Sequence, residues 1–187
     1  MGKLNILDVG SGPESIAAIV FGEDTGTVIR LDMDPDVHPD YVHDIIQPLP
    51  SELHDRFDVV YASHVLEHIP RMQVVEVVRN LAKALKDGGE LWFVVPSLEW
   101  IAQEIYRGRY DPIVLGFIYG GQSDEYDYHK CGFTLIGLRS LLKLAGLVER
   151  KAYQSIFTMT IGEDEFQAIQ NVVIGMRHDG DPALAIS

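Results

Sequence analysis

The chain has a single cysteine, Cys131, among 187 residues. No disulfide can form within it, which fits a reducing compartment, and a cytoplasmic location is expected. Basic residues are scarce as well: 15 Lys and Arg against 28 Asp and Glu leave a formal net charge of -13. Such a surface repels a phosphate backbone, and no basic run offsets it, so no nucleic-acid partner is expected. Apolar runs such as 113–119 are too short to cross a bilayer, so no membrane partner is expected either. No secretory leader is expected, because a strand pattern begins almost at once. A Gly-x-Ser-x-Gly elbow is lacking, which removes support for a serine hydrolase. Repeats and low-complexity tracts are also missing. What remains is 47% hydrophobic residues, ordinary for one compact domain of this length.

The first informative pattern is LNILDVGSGPES, from Leu4. An apolar strand, 4–9, carries Asp8 near its end and runs into Gly10-Ser11-Gly12-Pro13 and a helix over 13–21. A strand, a glycine turn and a helix form the nucleotide-binding opening of α/β proteins. Dinucleotides need a third glycine and a helix N-terminus free for pyrophosphate. Here Ser15 stands at the third glycine position, after Glu14, and both Glu14 and Asp8 repel phosphate. A sulfonium and an ammonium group with no phosphate, as in S-adenosylmethionine, suit the acids better.

Further acids follow at strand ends. A strand over 27–31 ends at Asp32-Met33, about twenty residues past the glycines, where a carboxylate can accept from both ribose hydroxyls. A short strand over 41–43 ends at Asp44-Ile45, where a carboxylate can accept from an adenine amino group. The run FDVVYAS, 57–63, reads as a buried parallel strand and leads into His64-Val65-Leu66-Glu67-His68.

On LDVGSGP, VIRLDMDP, HDII, FDVVYASHVLEHI and LKDGGELWFVVP, in that order, the chain resembles the class I S-adenosylmethionine-dependent methyltransferases of the small-molecule type. The resemblance is clear over 4–100 and looser to about 176. It implies that Asp8, Gly10 and Gly12, with Ser11, line the methionine part and that Asp32, with Met33, meets the ribose. It places Asp44 and Ile45 against the adenine, and Ser63 and His64 below the transferred methyl. S-adenosylhomocysteine would be the product. Glu14, where many members have glycine, is a departure at the methionine end.

The rest alternates between strand and helix. A helix is expected over 71–86, closed by Gly88-Gly89, then a strand over 90–95. Thr134 caps a helix reaching about Ala145, and Gly146 closes it. Strands over 147–160 and 166–176 flank a turn at Gly162-Glu163-Asp164. The expected fold is α/β: a Rossmann-like doubly wound sheet, mostly parallel, with one antiparallel strand near the C-terminus. The domain is expected over 1–176, with a tail over 177–187.

The segment 97–133 interrupts this rhythm with eight aromatics, including Trp100, Phe117 and Tyr128, and is expected to be a lid over the acceptor. Each aromatic has the alternative of filling a small core or a dimer contact. Methyl transfer needs alignment and, for some acceptors, a base. Candidate bases are His64, Glu67, His68, Asp127 and His129; Glu67 reads more simply as a helix-entry acid and His68 as a cap or packing residue near Pro70, which leaves His64, His129 and Asp127. His64 and His68 have metal-compatible i, i+4 spacing, but no third ligand completes a pattern, so no metal is expected. The expected activity is transfer of a methyl group to a small-molecule acceptor, a sugar or other metabolite. The resemblance implies N-terminal helices without counterpart here, so the acceptor side would be open, completed by the lid, or completed by a second subunit, as in a homodimer. The alternatives are a non-catalytic S-adenosylmethionine-binding regulatory subunit and an NAD-dependent oxidoreductase.

Overall fold

The computed structural model describes residues 2–22, 24–161 and 164–178. Seven strands form one sheet: β1 (Leu4–Val9), β2 (Gly26–Asp32), β3 (Tyr41–Val42), β4 (Phe57–Ser63), β5 (Leu85–Pro96), β6 (Val148–Ile161) and β7 (Asp164–Met176). Their order is β3-β2-β1-β4-β5-β7-β6. The pairs β1–β2, β1–β4, β2–β3 and β4–β5 are parallel. β7 runs antiparallel to both β5 and β6, so it alone opposes the direction of the other described strands. The expected doubly wound sheet with one reversed strand is the observed one. Gly162 and Glu163 of the expected turn lie outside the described residues, as do 179–187 of the expected tail.

Side chains alternate across a strand, so each central strand feeds two cores. Leu7, Val9, Val60, Ala62, Phe93 and Val95 face α2 (Val74–Lys83) and α5 (Leu135–Leu144). Ile6, Val59, Tyr61, Val94 and Val172 face Ala17 and Phe21 of α1 (Ile16–Phe21). Thr134 caps α5 as expected, its hydroxyl accepting from the Gly137 N–H at 3.0 Å.

Several boundaries differ from the sequence expectation. α1 begins at Ile16 rather than Pro13, because Ser15 is its N-cap and accepts from the Ala18 N–H at 3.1 Å. α2 spans ten residues and stops at Lys83, so Gly88-Gly89 does not close it. Those glycines lie within β5, where the Gly88 N–H reaches the Arg177 carbonyl at 2.9 Å. Within 97–133 the chain forms two helices, α3 (Leu98–Tyr106) and α4 (Pro112–Tyr119). Ser97 caps α3, and Asp111 caps α4 ahead of a proline in its first turn. Trp100, Ile101, Val114 and Phe117 pack with Ala168 of β7 into a third, smaller core. These two aromatics therefore have a packing role, whereas Tyr106, Tyr110, Tyr119, Tyr126 and Tyr128 are exposed.

Candidate active site

β1 has β2 on one side and β4 on the other, so the connections leave it in opposite directions and open a crevice at the carboxyl ends of the strands. Gly10 and Gly12 follow β1 with φ of 63° and 59°. That left-handed backbone suits glycine. At Gly10 space is a second constraint, because a Cβ there would stand 2.4 Å from Val65 Cγ2. The turn is tied to β2 from three directions. The Gly10 N–H donates to the Leu31 carbonyl at 2.8 Å. The Gly12 N–H donates to Asp32 Oδ2 at 2.8 Å. The Arg30 guanidinium donates to the Gly12 carbonyl and to the Val37 carbonyl. Asp32 Oδ1 accepts from the Asp34 N–H at 3.0 Å, so each carboxylate oxygen keeps a lone pair for a ligand.

A cavity of about 340 Å³ opens above these strand ends. Gly10, Asp32, Met33, Asp44, Ile45 and His64 line it, six of the ten residues expected at the cofactor. Asp8, Ser11, Gly12 and Ser63 do not line it. Asp8 is 2% exposed beneath the turn, where the Ser15 hydroxyl donates to its carboxylate at 2.5 Å. Burial pushes the Asp8 carboxyl above its usual range, with Ser15 opposing part of the rise. The residue in the third glycine position thus caps α1 and holds Asp8 at the same time.

A second cavity of about 250 Å³ adjoins the first, and Lys130 lines both. Leu98, Ile101, Phe117 and Phe133 give it apolar walls, and Glu67 and His129 add the polar groups. The expected bases fare differently. His64 has φ of 54°, a conformation that costs free energy outside glycine, and its N–H donates to the Val94 carbonyl at 2.7 Å. Its Nδ1 lies 3.3 Å from Glu67 Oε1 and its Nε2 lies 3.2 Å from Gln170 Oε1. Burial pulls its pKa down, but attraction to Glu67 and Gln170 outweighs burial and the net shift is upward. Both ring nitrogens of His64 thus face oxygen atoms, and the residue lines the larger cavity rather than the smaller one. Asp127 lines neither cavity. Its Oδ2 accepts from the Ser123 hydroxyl at 3.0 Å and from the Ser123 N–H at 3.2 Å, so it braces its own loop. His129 lines the smaller cavity, half-buried, and burial lowers its pKa.

Glu67 is the residue that the sequence reading underestimated. It is 1% exposed, and neither carboxylate oxygen has a hydrogen-bond partner. Its backbone carbonyl accepts from the Lys130 and Cys131 N–H groups at 2.7 and 3.2 Å, which brings 128–131 onto the turn after β4. No local signal links Glu67 to a histidine so far along the chain. The Cys131 thiol reaches the Leu66 and Ile69 carbonyls, and burial pushes its pKa up to about 11, so it is no nucleophile.

Residues 2–149 match the family model described as a methyltransferase domain. The ubiquinone biosynthesis O-methyltransferase of Proteus mirabilis is 30% identical over 130 residues, 57% of this chain and 52% of that protein. The chain thus spans about half the length of the curated relatives it matches. A SAM-dependent methyltransferase from Methanosarcina mazei superposes with a TM-score of 0.67 at 17% identity, covering 95% of this chain and 94% of that one. The 1,6-didemethyltoxoflavin-N1-methyltransferase of Burkholderia thailandensis, solved with S-adenosylhomocysteine, superposes with a TM-score of 0.60 at 14% identity, covering 95% and 72%. The glycine turn, the acid closing β2 and the matched span of nearly four-fifths of the chain agree, and the chain belongs to the methyltransferase domain family.

Proposed function

We propose that the chain transfers a methyl group from S-adenosylmethionine to a small-molecule acceptor by in-line displacement. The observation that carries this reading is Asp32. Its carboxylate is fixed by two backbone N–H groups at the lip of a cavity that also carries Gly10, Asp44 and Ile45. Two free lone pairs there match two vicinal hydroxyls. Asp44 Oδ1 accepts from the Ile46 N–H at 2.9 Å, and Oδ2 is left to take an amino hydrogen. Asp32, Asp44 and Glu125 make the lining acidic, which favours a sulfonium and an ammonium over a pyrophosphate. Ser15, the N-cap of α1, holds the buried Asp8 of β1 beside the start of that helix, against the dinucleotide alternative. When bound, the donor supplies an activated methyl on a positively charged sulfur.

The chain's own residues then have three tasks. Gly10 and Asp32 hold the donor in register. The apolar walls of the smaller cavity, from Phe117, Phe133, Leu98 and Ile101, exclude water and orient an acceptor with an apolar or planar part. The group of Glu67, His68 and His129 lies where both cavities meet and is the place for the acceptor's proton to be lost. On this reading 97–133 is the acceptor-side cover. Of the three expected bases, His64 acts in positioning and Asp127 in bracing the loop, which leaves the polar wall at His129. Incubation with methyl-labelled donor and a panel of small hydroxylated and amine acceptors is the test. Label is expected in the low-molecular-weight fraction, and label found only in macromolecules would contradict the acceptor class.

A further inference from the structure

We propose that Glu67, His68 and His129 form a binding site for one divalent transition-metal cation of the zinc class, set in the wall between the two cavities. One ligand-capable atom from each residue lies within 4.8 Å of the other two. The two imidazole rings meet edge to face, with centroids 4.8 Å apart. Tetrahedral zinc with nitrogen and oxygen donors at ordinary distances separates its ligand atoms by roughly 3.4 Å, so modest side-chain rotation closes the set.

Three independent features point to a cation. The first is the buried Glu67 carboxylate, which has no hydrogen bond at either oxygen. A carboxylate left in that state is costly unless a cation compensates it. His64 lies on one side of it, at 3.3 Å, without hydrogen-bond alignment. The second is the tautomer. His68 Nδ1 is 3.2 Å from the Tyr128 carbonyl and His129 Nδ1 is 3.0 Å from the Phe117 carbonyl. A carbonyl only accepts, so both Nδ1 atoms carry the proton and both Nε2 lone pairs are left for a metal. That outer hydrogen bond is the usual support of a metal-binding histidine. The third is positioning by main chain. The Lys130 and Cys131 N–H groups are bound to the Glu67 carbonyl and the His129 N–H to the Tyr119 carbonyl at 3.0 Å, so the ligand set is anchored at both ends.

Two histidines and one glutamate fill three positions and leave at least one open, the pattern of a catalytic rather than a structural site. Glu67 and His129 line the smaller cavity and His68 the larger, so an acceptor oxygen can take the open position. This role rests on the proposed methyl transfer. The cation lowers the pKa of a bound hydroxyl, whose proton leaves to solvent. The oxygen forms a bond to the methyl carbon as the carbon–sulfur bond breaks, giving a methyl ether, a neutral thioether and one proton. The acceptor class is then an oxygen nucleophile.

The experiment uses the full, tag-free chain stripped with chelator and titrated with Zn²⁺ by calorimetry and with Co²⁺ by visible absorption. Neither readout needs donor or turnover, so failure here is separable from failure of the methyl-transfer reading. One cation per chain is expected, with ligand-field bands for Co²⁺. His129→Ala and Glu67→Gln should each weaken binding by more than about tenfold. The exposed His38→Ala should not change it. His129 sits in a loop, so its variant keeps the test open if Glu67→Gln fails to fold. Absence of stoichiometric binding, or binding that His129→Ala leaves unchanged, would overturn the site.

Discussion

At the scale of single residues, the glycine turn separates two costs that sequence alone merges. Gly10 and Gly12 have the same left-handed φ, but only Gly10 is confined by a neighbour. Gly12→Ala should therefore cost about 1–2 kcal/mol of folding stability, the penalty of that conformation for an L-residue. Gly10→Ala must also displace the Val65 side chain and should cost more, by roughly 1–3 kcal/mol. Urea unfolding of the two variants side by side checks the difference, and equal costs would mean that the turn relaxes freely. The placement of residues is legible in the sequence where the chain itself brings the partners close. Asp32, Asp44 and Gly10 stand at strand ends, and strand ends in this sheet order all face one crevice. His129 and Glu67 were not legible as a pair, because their meeting depends on main-chain bonds between segments distant in sequence.

At the scale of elements, strands were easier to read than helices. β1 and β4 are buried on both faces and appear as continuous apolar runs, and their observed ends coincide with the expected ones. The helical stripe before β5 was correctly seen. Its end was overextended because the Gly-Gly pair turns the chain within β5 instead of ending α2. α3 and α4 are not among the expected elements, although Ser97 and the Asp111-Pro112 pair are ordinary helix-start signals. Glu99 of α3 joins three elements. Its carboxylate accepts from the Leu135 N–H at 2.6 Å, from Asn171 Nδ2 at 2.9 Å and from the Ser97 hydroxyl at 3.0 Å. Burial raises its pKa, but these bonds outweigh burial and the net shift is downward. A depressed carboxyl stabilises the fold above its unfolded value and loses that contribution as pH falls through the folded one. Glu99→Gln should thus be less stable than the wild type at neutral pH. The gap should shrink once pH drops below the ordinary value of 4.5. Thermal melts of both proteins across that range check it, and a gap independent of pH would show that Glu99 is not ionised in its network.

At the scale of the whole molecule, charge and topology act together. The net charge of -13 surrounds a crevice whose own lining includes Asp32, Asp44 and Glu125. Such a field attracts a cationic ligand, and salt screens it over about 10 Å at 0.1 M. Affinity for S-adenosylmethionine should fall with added salt more steeply than affinity for S-adenosylhomocysteine, which lacks the sulfonium. Parallel salt dependences in paired titrations would remove the electrostatic argument for the donor. The central claim is that the crevice at the ends of β1, β2 and β3 binds that donor through Asp32. Calorimetric titration of wild type and Asp32→Ala with S-adenosylmethionine, S-adenosylhomocysteine and NADH tests it most directly. Binding of the two adenosyl ligands alone is predicted, weakened by more than about tenfold in Asp32→Ala through the loss of two hydrogen bonds to a charged group. Binding of NADH without S-adenosylmethionine, or an affinity that Asp32→Ala leaves unchanged, would contradict it.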